Sequence, residues 1–132
     1  VSPDQVRRVS SGSPFEQPFG FSRALRKGRR VLVSGTGPVW PDESCDPDPG
    51  AQARRCLEII GEALEQAGSS LDQVLRTRMF IVDSADADAI GAVHGEIFSE
   101  TRPAATMVVV AALLDARWKV EIEAEAEAEL PR

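Results

Sequence analysis

The chain has 132 residues, 42% hydrophobic and 27% charged, which suits a single domain with its own apolar core. Its formal net charge is −6, so clustered Lys and Arg for a nucleic-acid backbone are not the dominant feature, and no nucleic-acid partner is expected. No apolar run approaches the roughly 18–20 residues that span a bilayer, and VSPDQVRRVSSGSPFEQPFG lacks the apolar centre of a signal peptide; the expected location is the cytoplasm, without membrane contact.

In chain order, residues 1–14 are polar and break at Ser10-Ser11-Gly12-Ser13-Pro14, which reads as a partly flexible lead. Val6–Val9 within it can form a short edge strand. Phe15, Phe19 and Phe21 follow. Phe21–Leu25 and Arg30–Ser34 read as the arms of a hairpin closed at Lys27-Gly28, where glycine accepts a positive φ. The basic run of Arg23, Arg26, Lys27, Arg29 and Arg30 is expected to be a solvated face of that turn. The second arm runs into Ser34-Gly35-Thr36-Gly37-Pro38. Between Trp40 and Gly50, Pro41, Pro47 and Pro49 among acidic residues predict a loop.

Ala51–Ala67 is the clearest helix. Ala53, Cys56, Leu57, Ile60, Ala63, Leu64 and Ala67 recur at helical spacing, and Gly68 stands where such helices end. Leu71–Asp83 moves into a strand whose Arg76 and Arg78 share a face that is wet or paired with acids. Ser84 or Asp86 can cap a second helix running to about Glu100, with Ile90, Val93 and Ile97 as its apolar stripe and Gly91 and Gly95 weakening it. Neither cysteine belongs to a CxxC pair and the only histidine is His94, so neither a zinc site nor a disulfide framework is expected. Cys56 reads as a core residue; Cys45, in a polar loop, is a candidate thiol without a supporting motif.

The C-terminal stretch reads as two long strands joined by a turn at Leu114-Asp115-Ala116-Arg117. Thr106–Leu113 is apolar on both faces, as in a central strand covered on both sides. In the return strand Val120, Ile122, Ala124, Ala126 and Ala128 alternate with Glu121, Glu123, Glu125, Glu127 and Glu129. Glu and Ala favour helix, but a period of 2 would wrap both types around a helix, so a strand is predicted. Two helices cover only one face of a sheet. The second apolar face of Thr106–Leu113 therefore predicts burial by another subunit.

This ββ-α-β-α-ββ order, with three local motifs, resembles the RidA/YjgF family of reactive-intermediate deaminases, also called L-PSP endoribonucleases. The motifs are Phe19-Gly20-Phe21-Ser22 before the first hairpin, Val33-Ser34-Gly35 after it, and Arg102-Pro103-Ala104-Ala105-Thr106 with Val120-Glu121-Ile122-Glu123-Ala124. The likeness covers roughly residues 15–128. It implies an α+β, chorismate-mutase-like subunit: a mixed β-sheet with two helices on one face, assembled as a homotrimer around a central barrel. It also implies small-molecule clefts between subunits, with no cofactor and no metal.

In active members an arginine in a Pro-Ala-Arg-Ser segment clamps the carboxylate of a 2-imino acid, and a glutamate of the Glu-Ile-Glu strand helps place the attacking water. A guanidinium matches a carboxylate in two hydrogen bonds, and a fixed acceptor orients water. Here the arginine position is Ala105, followed by Thr106, and Phe21 stands where a tyrosine is common. Gly91 replaces an asparagine sometimes found in the second helix. The resemblance points to Glu121 as the catalytic carboxylate and to Phe21, Ser34, Gly35, Ala105 and Thr106 as substrate-binding positions, to which Arg102 and Met107 are added as candidate substrate-binding residues. Three of them have a plainer reading: Glu121 as one of five glutamates on a wet face, Ser34 as a turn residue, Thr106 as a β-branched strand residue. Arg102, or less directly Arg117, is the available substitute for the missing arginine. His94 and Glu96 diverge on their helix and read as solvated or interface residues. Trp40 is either a lid or a loop anchor.

Two functions follow. One is hydrolytic deamination of a small enamine or imine other than the usual 2-imino acids. The other is a non-catalytic trimer that binds a small metabolite. Ribonuclease activity, named in the older family title, fits poorly with the acidic charge and the lack of a histidine pair.

Overall fold

A computed structural model describes residues 5–129. The rest, including the start of the expected flexible lead and the very C-terminus, lies outside the described residues. The strands are β1 (Val6–Val9), β2 (Ala24–Lys27), β3 (Arg30–Thr36), β4 (Val74–Ile81), β5 (Ala104–Val109) and β6 (Val120–Glu127); the helices are α1 (Glu16–Phe19), α2 (Pro49–Gln66) and α3 (Ala87–Ile97). The six strands form one mixed sheet in the order β1-β2-β3-β6-β4-β5. Only the β4–β5 pair is parallel. The expected α+β architecture, with the two long helices on one face of a mixed sheet, is the one observed.

Alternation decides which face each residue takes. Val120, Ile122, Ala124 and Ala126 of β6 point toward the helices and are buried, together with Val31 and Val33 of β3 and Met79 and Ile81 of β4. From α2 the same core receives Cys56, Leu57, Ile60 and Leu64, the stripe read from the sequence; Ile90 comes from α3. Burying a Leu or Ile side chain stabilises by about 1.5–3 kcal/mol each, so this one-sided layer supplies most of the cohesion. The opposite face carries Glu121, Glu123 and Glu125 across from Phe80, Arg78 and Arg76. Arg76 pairs with Glu125 at 3.6 Å and Arg78 with Glu123 at 3.1 Å, the acid partners expected for these arginines.

Several expectations are corrected. The C-terminal hairpin does not form: β5 and β6 are separated by β4, which pairs with β5 on one side and β6 on the other. The strand at Thr106–Leu113 is instead Ala104–Val109, and it lies at the sheet edge with Val108 and Val109 exposed, so it is not a central strand covered on both sides. Residues 110–119 cross the end of β4 where a tight turn at Leu114–Arg117 was expected. Pro49 opens α2 at a position where the missing N–H costs nothing, with Asp48 accepting the Ala51 N–H at 2.8 Å. The loop therefore ends earlier than Gly50. Neither Ser84 nor Asp86 caps α3 through its side chain; Asp83 accepts the Ala85 N–H and caps the 3-10 turn that leads into it. α3 also stops at Ile97, short of Glu100. The edge strand β1 and the hairpin turn, with Gly28 at φ 61°, stand where they were predicted, but the hairpin arms are Ala24–Lys27 and Arg30–Thr36, so Phe21 lies outside the first arm and the second runs beyond Ser34.

Candidate functional site

The site is built where the β3–β6 register slips. Val33 opposes Ala124 but Thr36 opposes Ile122, so β3 carries one extra residue and bulges at Ser34-Gly35. The bulge turns Gly35 toward Glu121. A β-carbon on Gly35 would collide with Glu121 Oε2 and lie 3.3 Å from its Cδ, so the bare α-carbon is the seat of the carboxylate. Ser34 Oγ donates to Ser22 O at 2.6 Å, and Thr36 Oγ1 donates to Ser34 O at 2.8 Å. The Ser34 hydroxyl is thus committed to the backbone. It is not free to hold an anion.

Glu121 is half-buried. Burial pushes its carboxyl above the ordinary range; Arg23 pulls it back and Glu123 pushes it further up. Burial and Glu123 thus favour the protonated form of Glu121, and Arg23 favours the carboxylate. Arg23 is the residue that sequence reasoning missed. Placed in a basic run, it was expected to be solvated; it is 9% exposed. Its Nη1 donates to Gly35 O at 2.8 Å and to Thr36 Oγ1 at 2.9 Å, and its guanidinium stands 5.6 Å from the centre of the Phe21 ring. The available signal was alternation: Ala24 faces the core, so its neighbour Arg23 must face the side that holds Glu121. The rest of the run behaves differently. Lys27, Arg29 and Arg30 are exposed or partly so, and Arg26 reaches the Ala67 and Glu129 carbonyls.

Beside the bulge, a groove of about 700 Å³ opens on the helix-free face, lined among others by Phe21, Leu25, Leu32, Ser34, Arg78 and Glu123. It brings Phe21 and Ser34 together beside the Gly35–Glu121 seat. The predicted residues of the edge strand are elsewhere. Ala105 opposes Thr77 and Met107 opposes Met79, so both face the helix side; Thr106 opposes Arg78 and shares the open face. All three lie on β5, separated from β6 by β4. Arg102 is exposed at the turn into β5, with φ 46°, its N–H bonded to Phe98 O. Within one chain these residues do not converge on Glu121.

The remaining candidates have structural partners. His94 Nε2 meets Thr77 Oγ1 at 2.8 Å, its ring lies 4.7 Å from that of Phe98, and burial lowers its basicity. Glu96 pairs with Arg54. Arg117 is bound to Asp115 and to the Glu43 carbonyl. Trp40 sits half-buried in its loop; the indole against the end of β3 is that of Trp118, packed flat on Gly37. Cys45 lies by the buried Gln52 amide, and burial raises its thiol. Among the described residues no cluster of three His, Cys, Asp or Glu could hold a metal ion, and no helix is long and apolar enough to cross a membrane.

Fold and site together define a small α+β subunit that carries a half-buried carboxylate on a glycine bulge, with one sheet face left open. The family profile described as Endoribonuclease L-PSP matches residues 15–128. An uncharacterized protein of Streptomyces coelicolor is 39% identical over 127 residues, 96% of this chain and 95% of that one. The 3-aminoacrylate deaminase RutC of Acinetobacter baylyi is 43% identical over 91 residues, 66% of this chain and 71% of that protein. A solved structure of a YjgF/YER057c/UK114 family member from Mycobacterium tuberculosis superposes with a TM-score of 0.87 at 41% identity, over 94% of this chain and 100% of that one. The chain belongs to the RidA/YjgF family, the family of the Endoribonuclease L-PSP profile.

Proposed function

We propose that this protein is a hydrolytic deaminase of a small enamine or imine, working in clefts between the subunits of a homotrimer. The observation that supports this reading most is the seating of the Glu121 carboxylate on Gly35, half-buried and under opposed electrostatic influences. In the reaction, the Glu121 carboxylate accepts a hydrogen bond from water and aims its oxygen at the imine carbon. The C–O bond forms as the C=N π pair moves to nitrogen, the nitrogen takes up protons, and the tetrahedral adduct collapses to a carbonyl compound and ammonia. An enamine first takes a proton at carbon to become the imine. The name of the RutC relative, a 3-aminoacrylate deaminase, supports this chemistry for the present chain.

The trimer is supported by the exposed apolar residues that the single chain leaves uncovered, Leu32 and Leu75 among them, with Val108 and Val109 at the free edge of β5. Packing β5 of one subunit beside the bulge of the next would carry Thr106, Ala105 and Arg102 to a neighbour's Glu121, which a single chain does not do. Ala105 offers neither charge nor hydrogen bond, so the usual 2-imino acids are poor substrates.

Ammonia release from 3-aminoacrylate and from 2-iminobutyrate, each generated in place, tests the reading alongside light scattering. Turnover of the enamine, its loss in Glu121→Ala with the trimer intact, and slow turnover of 2-iminobutyrate are expected. Fast 2-iminobutyrate turnover overturns the reading of Ala105. Full activity in Glu121→Ala removes the carboxylate from the mechanism. The apolar floor of the groove at Leu25 and Leu32 favours one second reading, a metabolite-binding trimer. A ligand that raises the melting temperature and is recovered unchanged supports it.

A further inference from the structure

Arg23 has no place in the chemistry described above, yet its surroundings are unusual. It is a cation nine-tenths buried with which no described carboxylate forms an ion pair. Its Nε is the one buried side-chain nitrogen or oxygen among the described residues without a hydrogen-bond partner. An orphaned buried donor costs about 1–3 kcal/mol. A fold that retains it at the edge of a candidate site is using the group for something other than stability.

Geometry shows what that is. One nitrogen of the guanidinium, Nη1, holds two consecutive residues of the bulge, through Gly35 O and Thr36 Oγ1. The backbone of Arg23 closes the other side: its carbonyl accepts the Ser34 N–H at 2.9 Å, and its own N–H donates to Val9 O at 2.9 Å. Ser34, Gly35 and Thr36 are therefore each tied to Arg23. The α-carbon of Gly35, in the middle of the three, is the surface on which the Glu121 carboxylate rests.

We propose that Arg23 is a positioning residue for Glu121: it fixes the Ser34–Thr36 bulge as the seat of the carboxylate and brings a positive charge to that bulge. The role in turnover rests on Glu121 being the water-orienting group; the coupling between the two side chains does not. The charged and titratable groups around the pair are Glu16 on α1, which accepts from Ser11 and influences Arg23; Glu123 on β6, paired with Arg78; and the neutral Cys56 thiol on α2, which Glu121 influences. Of these only Glu16 competes with Glu121 for the charge of Arg23.

The test is an NMR titration of the Glu121 side-chain carboxyl carbon, assigned by Glu121→Gln, in the wild type, Arg23→Gln and Arg23→Lys. Loss of a neighbouring cation should raise the Glu121 midpoint by roughly one pH unit in Arg23→Gln, and Arg23→Lys should return part of it. An unchanged midpoint in a folded Arg23→Gln protein overturns the proposal. If the variants do not fold, the wild type decides. The buried Nε–H of Arg23 should exchange slowly with water, and its nitrogen resonance should move with the Glu121 midpoint. A resonance that is flat through that midpoint, or that still moves in Glu121→Gln because it follows Glu16, also overturns it. Coupled titrations in a protein without turnover would remove the deaminase reading and leave the Arg23–Glu121 relation standing. Turnover with uncoupled titrations would do the reverse.

Discussion

The carboxylate of Glu121 rests on the α-carbon of Gly35, in the space where any other residue would carry a β-carbon. Gly37, two residues on, is covered in the same way by the Trp118 ring, whose three nearest atoms would lie 2.5–2.6 Å from an added β-carbon. The two glycines look alike in sequence and differ in what they accommodate, a movable carboxylate in one case and a rigid indole in the other.

That difference gives the first prediction. Gly35→Ala should displace the end of a flexible side chain, lowering stability by less than about 1 kcal/mol; under the proposed deaminase reading it should also reduce kcat at least about tenfold, by moving the carboxylate proposed to orient water. Gly37→Ala forces a whole ring to move and should lower stability by about 1–3 kcal/mol. Denaturant unfolding and ammonia-release assays on the two variants, side by side, check both. Equal stability losses would contradict it.

A second prediction concerns the pH dependence of Glu121. Its carboxyl is raised above the ordinary value of 4.5 by burial. The folded state therefore holds that proton more tightly than the unfolded state. The associated stability is fully present below about 4.5 and is lost as pH rises through the folded value. Glu121→Gln should melt higher than wild type near pH 7, with the gap closing as pH falls through the folded value and shut by about 4.5. Melting curves from pH 4 to 8 measure this; a gap that widens in acid would refute it.

His94 behaves in the opposite sense. Burial lowers it below its ordinary 6.5, so its neutral form is favoured in the fold. Stability is fully present above 6.5 and falls as pH drops through the folded value. Thr77→Val removes the 2.8 Å contact with Nε2 and should cost about 0.5–1.5 kcal/mol at pH 7.5. Urea unfolding of the wild type at pH 7.5 and 5.5, repeated on His94→Gln, should show a pH slope that the variant has partly lost.

Cys45 was the one thiol the sequence left open as reactive. Burial raises it, and it lies in a network where the Gln52 side-chain amide binds the Asp46 and Arg117 carbonyls at 2.8 and 3.0 Å. At pH 7.5 it should react with a disulfide reagent more slowly than a free cysteine, because less of it is thiolate. Both Cys45 and Cys56 should react fully after denaturation. A rapid native reaction of one equivalent would show that the network opens.

Much of the fold was legible because it depends on local periodicity. The stripe of α2 identified its buried face, and the strict alternation from Val120 to Glu127 identified both faces of β6 and the acids that meet Arg76 and Arg78. The partner of β5 was not legible. Two strands that follow one another in sequence invite a hairpin, since sequential strands are neighbours in most sheets. The intervening β4 need only be crossed by a span of about 9.6 Å, two strand spacings, which residues 110–119 cover easily. Nothing local marks that crossing. Glu121 and Gly35 were found through their motifs, while Arg23 was hidden in a run of like charges. Its burial depends on the Ser34-Gly35 bulge, a feature of pairing between distant segments.

The strand order has a consequence for how the molecule is made. β3 and β4 share no hydrogen bonds; each pairs with β6. Without Val120–Glu127 the pairing leaves two separate groups of strands, β1-β2-β3 and β4-β5, each with an open edge for the same strand. The strand that carries Glu121 is thus also the one that closes the domain. No chain seats Glu121 on Gly35 before the two groups of strands are joined.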